Sequence, residues 1–133
     1  WYMIDSSFIT TLPDTWGIGE KFLMLPVNKW DADYQRVVLG GITCDSHDYY
    51  DSEEHINEVF LPKTNDGKEP LYVGFFHTGA YQDQISGYGG IKHCLIPSPK
   101  HVIVGYDKNG KLTDWVYAKQ QTAQSMLKIL GYK

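Results

Sequence analysis

The sequence has few of the features that mark several large classes of protein. Its 133 residues include 12 Lys or Arg and 16 Asp or Glu, and the net charge of −4 argues against nucleic acid, for which a basic surface is expected. No apolar run approaches the roughly 20 residues that span a bilayer, and no charged-then-apolar leader is visible. We therefore expect a cytoplasmic domain that binds neither nucleic acid nor membrane.

Cysteine is also scarce. The two cysteines, Cys44 and Cys94, could form one disulfide in an exported protein, but without a leader we favour reduced thiols. The chain also lacks an initiator methionine and opens on an apolar run at residues 1–4. Since chains rarely start inside a core strand, we expect it to be a piece of a longer protein.

Two apolar runs dominate what is present. Residues 36–44 and 71–78 are rich in β-branched and aromatic side chains, which favour strands, and each run is followed by small and reactive residues. We expect these two strands to bring Cys44, Asp45 and Tyr81 to one edge of a sheet.

The remaining pattern predicts short strands separated by turns. We expect a strand over residues 2–11, a turn over 12–17, a solvated acidic loop over 45–58 in which only Asp45 is functional, and a hairpin joining 101–106 to 112–117 through an Asn-Gly turn. Helical spacing appears only at the C-terminal end, with Thr122 as its cap and Gly131 as its stop. The prediction is a single all-β domain over residues 1–133, a mainly antiparallel sandwich or barrel with one short C-terminal helix.

Several motifs together are specific. Residues 2–8, the Leu-Pro-Asp-x-Trp-Gly-Ile segment at 12–18, the Cys-Asp pair within 42–46, and the Gly-Ala-Tyr-Gln segment at 79–82 occur in this order and spacing. The series resembles the C-terminal region of biosynthetic arginine decarboxylases, which are pyridoxal-phosphate enzymes of the alanine-racemase-like fold.

The resemblance implies a division of labour. In that family an N-terminal (β/α)₈ barrel carries the Schiff-base lysine, and a β-domain like that of alanine racemase completes the site, partly across a dimer interface. The partners implied are the protein's own barrel domain, further copies of itself in a homodimer or higher homo-oligomer, and a small amino-acid substrate. Pyridoxal 5′-phosphate, bound mainly by the barrel, and Mg²⁺ are the implied cofactors. No lysine here matches the family motif, so the isolated segment should be inactive.

The same resemblance implies roles for four residues. Cys44 corresponds to the proton donor that acts after carbon dioxide leaves, and a thiol with an ordinary pKa of about 8.5 is a workable acid at neutral pH. Asp45 corresponds to the aspartate that binds the cationic end of the substrate, and Tyr81 to the tyrosine whose hydroxyl contacts the cofactor phosphate. Asp5 overlays the aspartate that ornithine decarboxylases use, and is expected to be a second substrate contact.

Other readings of these residues remain open. The same domain could serve an ornithine or diaminopimelate decarboxylase, because carboxylates would suit any cationic tail. Four Trp and ten Tyr could instead line a non-catalytic sugar-binding module. A zinc site at Cys44 and His47 with His93 and Cys94, or a thiol hydrolase, is disfavoured. Adjacent strand residues point to opposite faces, and no partner histidine is singled out.

Overall fold

The computed structural model describes residues 1–50, 59–64, 67–79, 81–85 and 89–133. These residues form two compact units, Trp1–Ser86 and Gly87–Lys133. The elements, in chain order, are β1 (Tyr2–Met3), α1 (Phe8–Thr11), α2 (Pro13–Ile18), β2 (Leu23–Pro26), β3 (Tyr34–Arg36), β4 (Leu39–Gly40), β5 (Tyr49–Tyr50), β6 (Phe60–Pro62), β7 (Val73–Phe76), α3 (Tyr81–Ile85), a 3₁₀ turn (His93–Leu95), β8 (His101–Tyr106), β9 (Leu112–Ala118) and α4 (Ala123–Ile129).

The first unit contains three small sheets. Strand β4 lies at the centre of a three-stranded sheet, parallel to β1 and antiparallel to β5. Strands β2 and β7 form an antiparallel pair, as do β3 and β6. The runs expected as long strands at 36–44 and 71–78 are therefore strands only in part. The last residues of the first run, up to Cys44, lie in a turn, and Tyr81 beyond the second run begins helix α3.

An apolar core joins these sheets. Its buried members come from helix α1, the strands and the loops between them, and are Phe8, Leu12, Phe22, Val37, Leu39, Tyr50, Val59 and Leu61. At its centre the rings of Phe8, Tyr50 and Phe75 contact one another, with centroids 5.5 to 5.9 Å apart. Burying an aromatic side chain contributes about 2 to 3 kcal/mol, so this cluster stabilises the junction of α1, β5 and β7.

Of the strand expected over residues 2–11 only β1 forms, and two short helices take the place of its second half and of the turn expected over 12–17. Ser7 caps α1 by accepting a hydrogen bond from the backbone N–H of Thr10 at 3.3 Å, and Pro13 begins α2, where a missing N–H costs nothing. Gly19 ends α2 with a left-handed backbone, φ 66°. The expectation that only the C-terminal segment is helical was wrong, because four- and six-residue helices are too short to leave a clear apolar period.

The second unit contains the predicted hairpin and the predicted C-terminal helix. Strands β8 and β9 pair antiparallel, with Gly110 at φ 77° in the turn between them. Helix α4 begins with a capping box between Thr122 and Ser125. It ends at Ile129, two residues before Gly131, whose φ is 89° and whose N–H donates to the carbonyl of Lys128. Both local predictions are confirmed.

The fold class is also confirmed. Most of the regular elements among the described residues are strands, in several antiparallel sheets, with a short helix at the C-terminal end, and those strands close no barrel. None of the helices in the described ranges combines the length and the apolar character that crossing a membrane requires.

Candidate functional site

Cys44 lies at the tip of a tight turn formed by residues 41–48, which we name the thiol turn. The turn is closed at its base, where the N–H of Gly41 donates to the carbonyl oxygen of Asp48 at 2.7 Å. The side chain of Thr43, the residue before the thiol, donates to the Asp48 carboxylate at 2.5 Å. The Cys44 side chain is exposed. The fold therefore holds the two ends of the turn and presents the thiol to solvent.

Asp45 is oriented by its own turn. One carboxylate oxygen, Oδ1, accepts a hydrogen bond from the backbone N–H of His47 at 2.8 Å and lies 3.5 Å from Nδ1 of the same histidine. An aspartate that bonds the backbone two residues on stabilises a turn. Its side chain is 33% exposed, so a cationic group can still approach the carboxylate.

Asp48 was not predicted to be a functional residue, and its environment differs from the solvated loop that was expected. It falls in the acidic stretch predicted to be solvated, yet it is only 5% exposed. Its carboxylate accepts hydrogen bonds from the N–H of Phe8 at 2.7 Å and of Thr43 at 3.1 Å, besides the one from the Thr43 hydroxyl. A buried carboxylate needs such partners, and one of them, Phe8, lies 40 residues upstream. The glycine pair at 40–41 is the feature of the sequence that could have indicated this close packing, because a Cβ on Gly41 would overlap the Asp48 carboxylate.

Asp5 lies close to the backbone of the thiol turn. Its neighbour Ser6 accepts a hydrogen bond from the N–H of Ile42 at 3.0 Å, and Ile4 donates to Gly40 at 2.9 Å. Asp5 is exposed and lines a pocket of about 630 Å³ in the first unit, together with residues of β1, the start of α1, and the segment before β7. Cys44 and Asp45 are not among the lining residues.

Tyr81 is the first residue of α3, and its side chain is 67% exposed. Helix α3 is attached by the next residue, since the buried Gln82 donates from Nε2 to Oδ2 of Asp14 at 2.8 Å. Thus α3 is hydrogen-bonded to α2, which follows α1, and α1 is hydrogen-bonded to Asp48 at the base of the thiol turn. The segments at 12–18 and 79–82, singled out in the sequence, meet through this contact.

The four predicted site residues are therefore all accessible to a ligand. The structure brings Cys44 and Asp45 together in one turn, and places Asp5 on a segment that is hydrogen-bonded to that turn. Tyr81 is connected to it through two short helices. Whether all four converge on one ligand stays a prediction.

A tyrosine supports the turn from the core side. Tyr50 follows Asp48 by two residues, is 4% exposed and packs on Phe8. Burial raises the pKa of Tyr50 above its ordinary value of 10.0, because desolvation disfavours the phenolate. This side chain stays neutral in the physiological range and acts as part of the core.

A metal at His93 and Cys94 was disfavoured because both residues were expected in a strand, and that expectation was wrong. These residues lie in a 3₁₀ turn and not in a strand, and Cys94 has a left-handed backbone with φ 54°. Their side chains approach each other, with 3.6 Å between Sγ and Nε2, where a strand would have separated them. The pair belongs to the second unit, and the sequence reasoning assigned it no function.

The chain is similar to several curated proteins along nearly its whole length. It is 32% identical to the biosynthetic arginine decarboxylase of Marinobacter nauticus over 97% of this chain, and 32% identical to that of Proteus mirabilis over 95%. It is 29% identical to the biosynthetic arginine decarboxylase of Deinococcus radiodurans over 99%. In each case it spans 20% of the relative's length. No protein-family model matches the chain.

Proposed function

Because this chain is a relative of the biosynthetic arginine decarboxylases that spans one fifth of their length, we propose that it is their C-terminal β-domain. The intact protein would convert L-arginine to agmatine and carbon dioxide, a step toward polyamines, in the cytoplasm. The single observation that supports a direct part in the reaction is the thiol turn, which presents a thiol and a carboxylate side by side at the surface.

Cys44 is proposed to return the proton. When carbon dioxide leaves, the electron pair of the broken bond stays with the substrate, and the α-carbon must take up one proton. The Sγ–H bond of Cys44 breaks, its proton goes to the α-carbon, and the thiolate is reprotonated from water. An exposed thiol suits this cycle, because solvent can reach it between turnovers.

Asp45 is proposed to bind the guanidinium of arginine. A carboxylate can accept two parallel hydrogen bonds from this group, which provides orientation as well as charge. The hydrogen bond from His47 to Oδ1 already limits rotation of the Asp45 side chain, so less order has to be gained on binding. Asp5, exposed on the neighbouring segment, is proposed as a second substrate contact.

The side chains of this chain fit a peripheral contact to pyridoxal phosphate. Tyr81 offers an exposed hydroxyl two residues after Gly79, whose backbone is left-handed at φ 69° and has open space beside it. When bound, the cofactor supplies the electron sink for decarboxylation, and the protein supplies position. The lysine that anchors the cofactor is proposed to come from the barrel domain. The Mg²⁺ that the resemblance implies is assigned to no residue of this chain.

The proposal extends to assembly. The barrel domain of the same protein would supply most of the site, and a second copy would complete it across a dimer interface. By itself this segment should not turn over substrate. The same side chains would serve an ornithine or diaminopimelate decarboxylase, so a panel of cationic amino acids offered to the intact protein identifies the substrate.

The test is Cys44→Ala in the intact protein, with Cys94→Ala as a matched control, since both thiols are exposed. Losing a general acid lowers turnover by about 10²- to 10⁴-fold, so we expect amine formation to fall by that order, with the cofactor still bound. The Cys94 variant should keep its activity. Unchanged turnover and product ratio in the Cys44 variant would falsify the proton-donor role. An intact protein that binds no pyridoxal phosphate would favour a non-catalytic module.

A further inference from the structure

Asp48 has no part in the chemistry proposed above, yet its buried carboxylate accepts hydrogen bonds from Phe8 and from both the N–H and the hydroxyl of Thr43. We propose that Asp48 is a positioning residue, which fixes the thiol turn so that Cys44 faces the reacting carbon. The inference rests on the proposed function of Cys44.

The hydrogen bonds of Asp48 connect two parts of the first unit. On one side its Oδ1 accepts from the N–H of Phe8, the first residue of α1. On the other side Oδ2 accepts from both the N–H and the hydroxyl of Thr43. Phe8 is 1% exposed and belongs to the core, so one oxygen of this carboxylate is attached to a rigid point. The other oxygen holds the residue that precedes the thiol.

The backbone of Asp48 closes the turn as well. Its carbonyl accepts from Gly41 at 2.7 Å, and its N–H donates to the carbonyl of Asp45 at 3.1 Å. The side chains of Ile42, Cys44 and Ser46 are exposed, so they contribute little packing that could hold the turn. The Asp48 carboxylate is therefore a buried polar link between the turn and the core, besides the backbone hydrogen bond from Ile42 to Ser6.

Such an arrangement matters for proton transfer because the reacting atoms must meet at close range. Misplacing a reacting group by about 1 Å costs on the order of 100-fold in rate. The part of the turn that carries Thr43 and Cys44 would shift if the Asp48 carboxylate lost its donors. Binding of arginine through Asp45 would change less, because its hydrogen bond to His47 lies within the turn itself.

The experiment compares four variants of the intact, cofactor-loaded protein. Asp48→Asn keeps the shape of the side chain but turns one acceptor into a donor. Thr43→Val removes only the hydroxyl and remains informative if the first variant does not fold, whereas Thr43→Ser restores the hydroxyl. Asp31→Asn makes the same chemical change as the first variant at an exposed position of the same unit and is the control.

Two readouts are taken for each variant. The first is the rate at which iodoacetamide alkylates Cys44, measured by mass spectrometry relative to Cys94 in the same sample. The second is kcat and KM for arginine, together with the ratio of amine to aldehyde product. Amine forms when the proton reaches the α-carbon, and an increase in aldehyde would show that the proton is not delivered there. The first readout needs no turnover.

We expect Asp48→Asn and Thr43→Val to change the relative alkylation rate of Cys44 and to lower kcat roughly 10- to 100-fold, with KM nearly unchanged. Thr43→Ser should recover the wild-type values, and Asp31→Asn should never lose them. Wild-type alkylation rates in the folded Asp48 and Thr43 variants would overturn the inference. A changed alkylation rate with an unchanged kcat would support the positioning role and refute the proton-donor function of Cys44, so the two failures are distinguishable.

Discussion

Replacing Gly41 by alanine tests the packing at the base of the thiol turn. A Cβ at this position would overlap the carboxylate of Asp48, and the two residues cannot simply separate because Gly41 also donates its N–H to the Asp48 carbonyl at 2.7 Å. The carboxylate must therefore leave Phe8, Thr43 or both. A hydrogen bond to a charged group contributes about 1.5 to 3 kcal/mol, so we expect the variant to lose roughly 3 kcal/mol of unfolding free energy.

Two other glycines are matched controls. A Cβ on Gly40 would lie 2.8 Å from Sδ of Met3, but that side chain is 64% exposed and flexible, so Gly40→Ala should cost less than about 1 kcal/mol. A Cβ on Gly17, inside α2, has no atom within 4 Å, so Gly17→Ala should stabilise by about 0.5 to 1 kcal/mol.

The assay is urea unfolding followed by tryptophan fluorescence, together with amide hydrogen exchange at Phe8, whose N–H donates to Asp48. The urea concentration at the midpoint of unfolding should be highest for Gly17→Ala, intermediate for the wild type and Gly40→Ala, and lowest for Gly41→Ala. If Gly41→Ala unfolds at the same urea concentration as Gly40→Ala and leaves exchange at Phe8 unchanged, the close approach of Asp48 is not what requires glycine here.

The remaining predictions concern single side chains. In the intact protein Asp45→Asn should weaken arginine binding on the order of tenfold and leave cofactor affinity unchanged, as measured by titration; equal arginine affinity would remove Asp45 from the substrate site. Tyr81→Phe should weaken cofactor binding without loss of stability. Tyr2→Phe deletes a hydroxyl that makes three hydrogen bonds in the first unit, so it should lower the free energy of unfolding by about 1 to 3 kcal/mol and leave cofactor binding unchanged. If the two variants affect stability and cofactor binding alike, Tyr81 is not a cofactor contact. Because burial raises the pKa of Tyr50, the unfolded state loses that proton first, so stability should fall as pH rises above 10.0 and on through the folded pKa. The Tyr50→Phe variant should show a shallower decline between about pH 9 and 11 in urea titrations, and an identical slope would show that Tyr50 is not the group responsible.

The elements predicted correctly are those with local signals. The hairpin β8–β9 has its Asn-Gly turn, and α4 has a capping residue, an apolar period and a terminal glycine within ten residues of one another. The similarity to arginine decarboxylases was likewise carried by short motifs and is confirmed along nearly the whole chain. The roles of Cys44, Asp45, Asp5 and Tyr81 stay predictions.

The predictions that failed concern residues whose conformation or burial depends on a hydrogen-bond partner far away in the sequence. Helix α1 forms where a strand was expected, and the Asp48 carboxylate that receives its first N–H lies 40 residues away. Gln82 carries no local signal of burial, yet it is buried and donates a hydrogen bond to Asp14, 68 residues earlier. Composition marks an acidic stretch as solvated, and it cannot show which acid the fold will bury.

The sequence by itself therefore determined the strand-rich class, the hairpin, the terminal helix and the presence of a thiol beside an acid, because each depends on residues close together in the chain. Only the tertiary structure decided that the thiol turn is attached to the core through Asp48, and that the 12–18 and 79–82 segments meet. Those contacts form because buried polar groups must find partners, and the partners available are set by how the sheets and short helices pack.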